Sequence, residues 1–202
     1  MECDSREYEI LARAAASVRG VEGLTCEIGV RAGGGTQVIL DALRESGQRK
    51  MHVAVDPFGN LDYLHHEDIV VHNSGYTNTI KRRMLKNLYA LADATNQDVM
   101  FLALEDTEFF GRFSDGVPVY TEGTKRLVNS YALVHLDGPH SSSVARAEFD
   151  WFADRMPLGG VVVFDDVDQY PHIEVVDPHV TSRGFEIMER GGCKISYVKM
   201  VR

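Results

Sequence analysis

An α/β fold with a doubly wound, mostly parallel sheet of seven strands is predicted by two features of this 202-residue sequence. Five short apolar runs alternate with segments whose apolar side chains recur at helical spacing, and such alternation favours a parallel sheet with helices on both faces. The C-terminal segment instead places two strand-like runs on either side of Gly191-Gly192, which predicts a final antiparallel hairpin. We expect a single domain over residues 1–202.

The predicted elements follow in a regular order along the chain. Apolar side chains at helical spacing between Tyr8 and Val18 predict an N-terminal cap helix within residues 1–20. Two long polar segments, residues 59–76 and 109–124, match no strand or helix pattern, and such loops often serve as lids or binding loops. The remaining pattern predicts strands at residues 24–30, 52–55, 99–104, 131–136 and 161–164, helices at 36–45, 78–92 and 142–156, and hairpin strands at 184–189 and 194–200.

Composition narrows the classes of partner. The chain is 44% hydrophobic and 25% charged, as in ordinary soluble domains, and its net charge of -9 argues against a large nucleic-acid surface. No apolar stretch reaches membrane-spanning length, and residues 1–9 are charged and lack the apolar core of a signal peptide. We expect a cytoplasmic protein whose partner is a small molecule, neither nucleic acid nor membrane; homo-oligomerisation is left open.

A glycine-rich loop joins the first predicted strand to the next helix. It has the spacing E-x-G-x-x-x-G over Glu27, Gly29 and Gly33, followed by Thr36. A nicotinamide-binding loop requires G-x-G-x-x-G, so the missing second glycine disfavours a nicotinamide oxidoreductase. Asp56 ends the second strand, where an acid can accept hydrogen bonds from both ribose hydroxyls. The loop and this acid together predict a cofactor that carries a nucleoside.

Three aspartates form the strongest constellation in the sequence. Asp137 follows the fourth strand, and Asp165-Asp166 follow the fifth. Neighbouring strands of a doubly wound sheet open onto one crevice at their carboxyl ends, so we expect the three carboxylates to converge. Such a cluster is costly unless a cation neutralises it or a pKa rises. Ligation by oxygen alone favours a hard ion such as Mg²⁺, Mn²⁺ or Ca²⁺.

These segments resemble a known family. The glycine loop, "LDGPH" at residues 136–140 and "PLGGVVVFDDV" at residues 157–167 resemble the class I S-adenosylmethionine-dependent methyltransferases, in particular the metal-dependent macrocin O-methyltransferase type, which includes sugar O-methyltransferases. The resemblance implies a Rossmann-like methyltransferase fold and a divalent ion, Mg²⁺ or another, on Asp137, Asp165 and Asp166. It also implies that S-adenosylmethionine contacts a set of loop and strand-end residues, with Asp106 near the adenine amine. That set is Glu27, Gly29, Gly33, Thr36, Asp56, Asp106 and Asp137.

The sequence departs from this family at one position. Family members often carry a second acid two residues after the first metal aspartate, and Pro139 stands there in this chain. His140 comes next, and an imidazole is suited to act as general base near neutral pH. Alternatively, His140 caps the helix that follows or pairs with Asp137. With Asp137 and His140 as catalytic residues, we expect O-methylation of a small hydroxylated molecule, such as a sugar or a catechol-like compound. A metal-independent enzyme and a non-catalytic cofactor-binding protein remain alternatives.

Overall fold

The computed structural model describes residues 5–65, 69–72 and 74–201, and within them it has eleven strands and six α-helices. The strands are β1 (Leu24–Ile28), β2 (His52–Val55), β3 (Asp62–His65), β4 (Ile69–His72), β5 (Val99–Leu102), β6 (Val117–Thr121), β7 (Thr124–Val128), β8 (Tyr131–Leu136), β9 (Val161–Phe164), β10 (Phe185–Arg190) and β11 (Ile195–Lys199). The helices are α1 (Tyr8–Ser17), α2 (Gly34–Glu45), α3 (Asn78–Thr95), α4 (Asp106–Arg112), α5 (Ser142–Ala153) and α6 (Asp177–Ser182).

Seven strands form one sheet in the order β10-β11-β9-β8-β1-β2-β5. The five strands from β9 to β5 are parallel, whereas β11 pairs antiparallel with both β9 and β10. The predicted mostly parallel sheet with a C-terminal antiparallel hairpin is therefore confirmed. Strand order reverses at β1, which lies between β2 and β8. In a doubly wound sheet, the crevice beside such a switch point is where ligands bind.

Helices cover both faces of the sheet because its central strands are buried on both sides. Every residue of β1, β2, β8 and β9 is buried. On one face, α1 and α2 pack Leu11 and Leu40 against the sheet; on the other, α5 packs Phe149 and Phe152. Burial of large apolar side chains from two layers against one sheet is the main stabilising term for such a domain. The cap helix predicted within residues 1–20 is α1; residues 1–4 lie outside the described part of the chain.

The two segments without a predicted pattern contain hairpins. Strands β3 and β4 pair within residues 59–76, of which residues 66–68 and 73 lie outside the described part. The other segment, residues 109–124, holds most of α4 and leads into the hairpin β6-β7. Neither hairpin belongs to the main sheet. Strand β7 is exposed on both sides, so it lacks the alternation of apolar and polar residues that marks a half-buried strand.

One further stretch was not expected. A π-helical turn at His172–Val176 leads directly into α6, between β9 and the hairpin.

Among the described residues, the structure has no helix that is long and apolar enough to cross a membrane.

Candidate functional site

A cavity of about 690 Å³ opens at the carboxyl edge of the sheet. The ends of β1, β2, β5 and β8, together with the residues after β9, form its floor. Six of the predicted site residues line it: Gly29, Asp56, Asp106, Asp137, His140 and Asp166. The switch-point crevice is thus a single cavity that contains both the predicted cofactor side and part of the acid cluster.

Gly29 allows the strands on either side of the switch point to approach closely. Its φ of 85° lies in the left-handed region, and a Cβ there would collide with the backbone carbonyl of Asp137. Only glycine combines this conformation with this approach without strain. Gly33 has a φ of 88° and begins the turn into α2. The glycine loop is therefore fixed by its contact with β8.

Asp56 holds this loop by its backbone. Its side chain is buried; Oδ2 accepts from the amides of Val30 at 3.0 Å and Arg31 at 2.8 Å, and Oδ1 accepts from that of Phe58 at 2.8 Å. Burial raises the pKa of Asp56, and the three amides oppose that rise. A carboxylate has about four acceptor positions, so three are used within the chain. The remaining one faces a cavity wall that a ribose hydroxyl could reach.

Glu27 and Thr36 lie beneath the loop. The Thr36 hydroxyl donates to Oε2 of Glu27, whose Oε1 lies 2.9 Å from Nδ1 of His135. A Cβ at Gly35 would collide with the Glu27 carboxylate, so the first turn of α2 rests directly on this acid. Among the described residues that line the cavity, Glu27, Gly33 and Thr36 do not appear. Glu27 and Thr36 support the loop from below, whereas Gly33 is part of it, and their contact with a cofactor stays a prediction.

Asp165 is surrounded by partners within the chain. The Lys194 ammonium forms an ion pair with its Oδ2, and both side chains are fully buried. Oδ1 accepts from the Ser5 hydroxyl at 2.9 Å and from the Asp166 amide at 2.8 Å. Burial alone would raise the pKa of Asp165, but His135 and Lys194 outweigh it and hold the pKa well below its ordinary value.

His135 lies between two acids, because its Nε2 is 3.6 Å from Oδ2 of Asp165 while its Nδ1 faces Glu27. Burial opposes the charged imidazole, yet the interactions with Asp165 and Glu27 raise its pKa to about 9. Asp137 lies beside this group. Burial, followed by the charge of Asp165, raises the pKa of Asp137 well above its ordinary value. The positive charge of Lys194 and His135 thus offsets part of the repulsion that the sequence predicts among the aspartates.

His140 and Asp166 face each other at the cavity wall. Nε2 of His140 lies 3.0 Å from Oδ2 of Asp166, and Nδ1 lies 3.2 Å from Oε1 of Gln169. Asp166 has a φ of 49°, which is unusual for a residue with a side chain and is found most often where surrounding structure enforces it. This conformation turns Asp166 towards the cavity while Asp165 points to Lys194.

Comparison with known proteins decides the family. Residues 26–167, more than half of the chain, match the sequence profile of the family described as "Methyltransferase domain". This chain belongs to that family. The predicted recognition as a class I methyltransferase is thereby confirmed. No curated protein sequence matches the chain.

Solved structures show the same fold as this methyltransferase domain. The O-methyltransferase NovP aligns with a TM-score of 0.66 at 21% identity, over 96% of this chain and 79% of NovP. An O-methyltransferase from Bacillus cereus in complex with SAH aligns at 0.61 and 13% identity, over 98% of this chain and 83% of that one. CalS11, a TDP-rhamnose 3'-O-methyltransferase, aligns at 0.57 and 15% identity, over 95% and 78%. At these identities the likeness shows the fold alone.

Within the described part of this methyltransferase chain, acids, histidines and Cys193 form three overlapping groups of potential metal ligands. Within each group, one ligand atom from every member lies within 4.8 Å of the others. The predicted trio of Asp137, Asp165 and Asp166 is divided among them. Asp137 and Asp166 combine with His140, and these three residues line the cavity. The other two groups are His135, Asp137 and Asp165, and Asp165, Asp166 and Cys193.

Sequence reasoning missed four residues around the site: Ser5, His135, Glu148 and Lys194. His135 could have been found from the sequence, because it is a polar residue in an apolar strand. It stands two positions before Asp137 and hence on the same face of the sheet. Lys194 precedes the apolar run of β11, but nothing local indicates that its partner is Asp165. Glu7 joins the segment before α1 to the turn before β11. Its carboxylate accepts hydrogen bonds from the amides of Gly192, Cys193 and Lys194 at 2.9, 2.7 and 3.0 Å.

Proposed function

We propose that this methyltransferase domain binds S-adenosylmethionine and transfers its methyl group to a hydroxyl oxygen of a small molecule, with a divalent cation at the aspartates. One observation carries the proposal: a single cavity joins Gly29, Asp56 and Asp106 on one side to Asp137, His140 and Asp166 on the other. A methyl transfer enzyme needs its cofactor and acceptor sites to share one space, because the reaction depends mainly on alignment.

The cofactor side of the proposal is supported by the chemistry of its walls. The glycine loop brings backbone within reach of a ligand, and Asp56 keeps an acceptor position for a ribose hydroxyl. The B. cereus neighbour of the same fold is described in complex with SAH, the product form of this cofactor. In the proposal the methionine part lies along Gly29 and the adenine lies near Asp106.

On the acceptor side, we assign His140 as the general base. Its Nδ1 lies 3.2 Å from Oε1 of Gln169, and its Nε2 lies 3.0 Å from Oδ2 of Asp166. A proton that Nε2 takes from the acceptor hydroxyl would therefore be stabilised by the Asp166 carboxylate. CalS11 is described as acting on TDP-rhamnose and NovP as an O-methyltransferase, which favours a sugar hydroxyl as acceptor, with a catechol-like hydroxyl as the other candidate.

The residues fit a divalent cation. Carboxylate oxygens suit a hard ion such as Mg²⁺ or Mn²⁺. Asp137 and Asp166 would hold the ion towards the cavity, whereas Asp165, already paired with Lys194, would support them from behind. When bound, the cation would lower the pKa of the acceptor hydroxyl and fix its position.

A metal-independent methyltransferase is a second candidate, and the Lys194–Asp165 ion pair favours it. Together with His135, Lys194 supplies positive charge at the aspartates from within the chain. In that case Asp137 and Asp166 would orient the acceptor by hydrogen bonds, and His140 alone would remove the proton.

The test combines binding with turnover. We expect calorimetry to show S-adenosylhomocysteine binding, and a panel of sugars and catechols with S-adenosylmethionine to yield a methylated product. Chelation should abolish transfer, and added Mg²⁺ or Mn²⁺ should restore it. Asp166→Asn should weaken Mn²⁺ binding, whereas Asp168→Asn, an exposed neighbour paired with Arg6, should not.

Each alternative has its own outcome. Undiminished transfer in excess chelator would establish the metal-independent candidate. Cofactor binding without transfer to any acceptor, with or without metal, would favour a non-catalytic binding protein. A chain that does not bind S-adenosylhomocysteine would contradict the proposal as a whole.

A further inference from the structure

Glu148 is a buried acid that the proposed reaction does not use. It lies on the inner face of α5 and is 2% exposed. Its Oε1 atom has no hydrogen-bond partner among the residues that the structure describes. An ionised carboxylate without a partner at such a depth would strongly destabilise the fold. Neighbouring groups must therefore compensate for the burial of Glu148.

Two residues of the cavity wall lie against Glu148. Gly138 is one of them: a Cβ there would stand 2.9 Å from Glu148 Oε1, so the absence of a side chain makes room for this acid. Asp106 is the other. The rings of Phe109 and Phe110, one turn after Asp106 on α4, pack against Trp151, one turn after Glu148 on α5. The two carboxyl groups thus approach each other beside the cavity, and Asp106 contributes to the raised pKa of Glu148. Two ionised carboxylates are both acceptors, so this contact requires that one of them keeps its proton.

The proton belongs on Glu148. Burial, and then the charge and hydrogen bond of Asp106, raise the pKa of Glu148 well above its ordinary value. Asp106 has the opposite surroundings: it is half-buried in the first turn of α4, and its Oδ1 accepts from the Thr107 amide at 2.7 Å. Asp106 is therefore the more exposed of the two carboxyl groups and already has a backbone donor.

We propose that Glu148 is a positioning residue for the adenine of the cofactor: as a carboxylic acid it donates a hydrogen bond to Asp106 and fixes that carboxylate on the cavity wall as the acceptor for the exocyclic amine. This inference rests on the proposed function, which places adenine near Asp106. Glu148 itself does not line the cavity, so it acts only through Asp106.

The experiment compares two ligands that differ at the amine. The two ligands are S-adenosylhomocysteine and S-inosylhomocysteine, in which a carbonyl group replaces the amine. Calorimetry measures the affinity of each ligand for the wild-type chain, for Glu148→Gln and for Glu148→Leu. Glutamine keeps a donor for Asp106, whereas leucine fills similar space and keeps none. We expect the wild type and Glu148→Gln to prefer the adenosyl ligand. Glu148→Leu should bind it about ten- to a hundredfold more weakly, with little change for the inosyl ligand.

A purely structural role for Glu148 would give a different result. Glu148→Leu would then have a changed thermal stability but would keep the full preference for the adenosyl ligand, which would overturn the inference while the proposed function stands. A wild type that binds neither ligand would overturn both. In a folded Glu148→Leu chain, the further change Asp106→Asn should cost little additional affinity for the adenosyl ligand. Both changes disrupt the same contact with the exocyclic amine, so their effects should not add.

A spectroscopic readout does not depend on the folding of Glu148→Leu. The infrared difference spectrum on binding of S-adenosylhomocysteine should contain the carbonyl band of a protonated carboxyl group, and Glu148→Gln should lack that band. A wild-type spectrum without it, or a band that survives Glu148→Gln, would overturn the inference.

Discussion

Two buried aspartates mark the two ends of the site, one on the cavity wall and one behind it, and the chain stabilises them in different ways. Asp56, at the tip of β2, is held by three backbone amides, and its pKa is raised chiefly by burial. Asp165, at the tip of β9, is held by the Lys194 ammonium and the nearby His135, and its pKa is lowered. One acid is satisfied by main-chain groups of its own neighbourhood, the other by charges from distant parts of the chain.

This difference separates the tasks of the two ends. Backbone amides are held in place by the fold and are lost only on substitution by proline, so the Asp56 end suits a fixed task such as holding a loop against a ligand. Side-chain charges around Asp165 can be rearranged, and the acids beside it can share a bound cation or a substrate group. The predictions below test whether chemistry is confined to the second end.

The largest effect is expected at His140. If it is the general base, His140→Gln should lower turnover by about 10²- to 10⁴-fold and leave the affinity for S-adenosylhomocysteine unchanged. The matched control is His179→Gln, since His179 is paired with Asp150 and neither residue lines the cavity. Steady-state rates and calorimetry measure the two quantities. Full activity in His140→Gln would return this residue to a structural role.

Removal of the charge that holds Asp165 should be the largest change in stability. Lys194→Met leaves a buried carboxylate without its counter-charge and should lower the free energy of unfolding by about 3–5 kcal/mol. Lys199→Met is the control, because Lys199 donates to the carbonyls of Ala153 and Met156 and should cost less. Urea denaturation measures both. The double variant Lys194→Met/Asp165→Asn should recover part of the loss; no recovery would mean that the ion pair does not account for it.

At the other end, the expected effect is on cofactor affinity. Asp56→Ala removes a ribose acceptor and three loop contacts, and it should weaken S-adenosylhomocysteine binding by about 1.5–3 kcal/mol. Asp115→Ala, an exposed acid beyond α4, serves as the control. Calorimetry decides the matter: equal affinity in Asp56→Ala and in the wild type would remove Asp56 from the cofactor site.

The same contrast explains what could be predicted from the sequence. The mostly parallel sheet and the positions of Gly29, Asp56 and Asp137 follow from local patterns and from the rule that parallel strands end at one edge. The partners of Asp165 do not, because Ser5 and Lys194 reach it only after the chain ends come together. The division of the aspartates between cavity and interior depends on that contact. The hairpins β3-β4 and β6-β7 were missed since their exposed strands β4 and β7 lack the alternation of apolar and polar residues that marks a half-buried strand.

The smallest expected effect concerns Glu7, a second acid held by backbone amides. Hydrogen bonds from Gly192 and Cys193 lower its pKa below the ordinary value of 4.5. A carboxyl group whose pKa is lower in the folded chain stabilises the fold at any pH above its pKa in the unfolded chain. That contribution is lost as the pH falls through its pKa in the folded chain.

Glu7→Gln keeps one acceptor oxygen but has no charge to titrate. The melting temperature of the wild type should therefore exceed that of Glu7→Gln above pH 4.5, and the gap should close on acidification. Glu9→Gln, an exposed neighbour on α1, controls for the loss of a negative charge. A gap that stays constant with pH would show that the three amides do not favour the ionised form of Glu7.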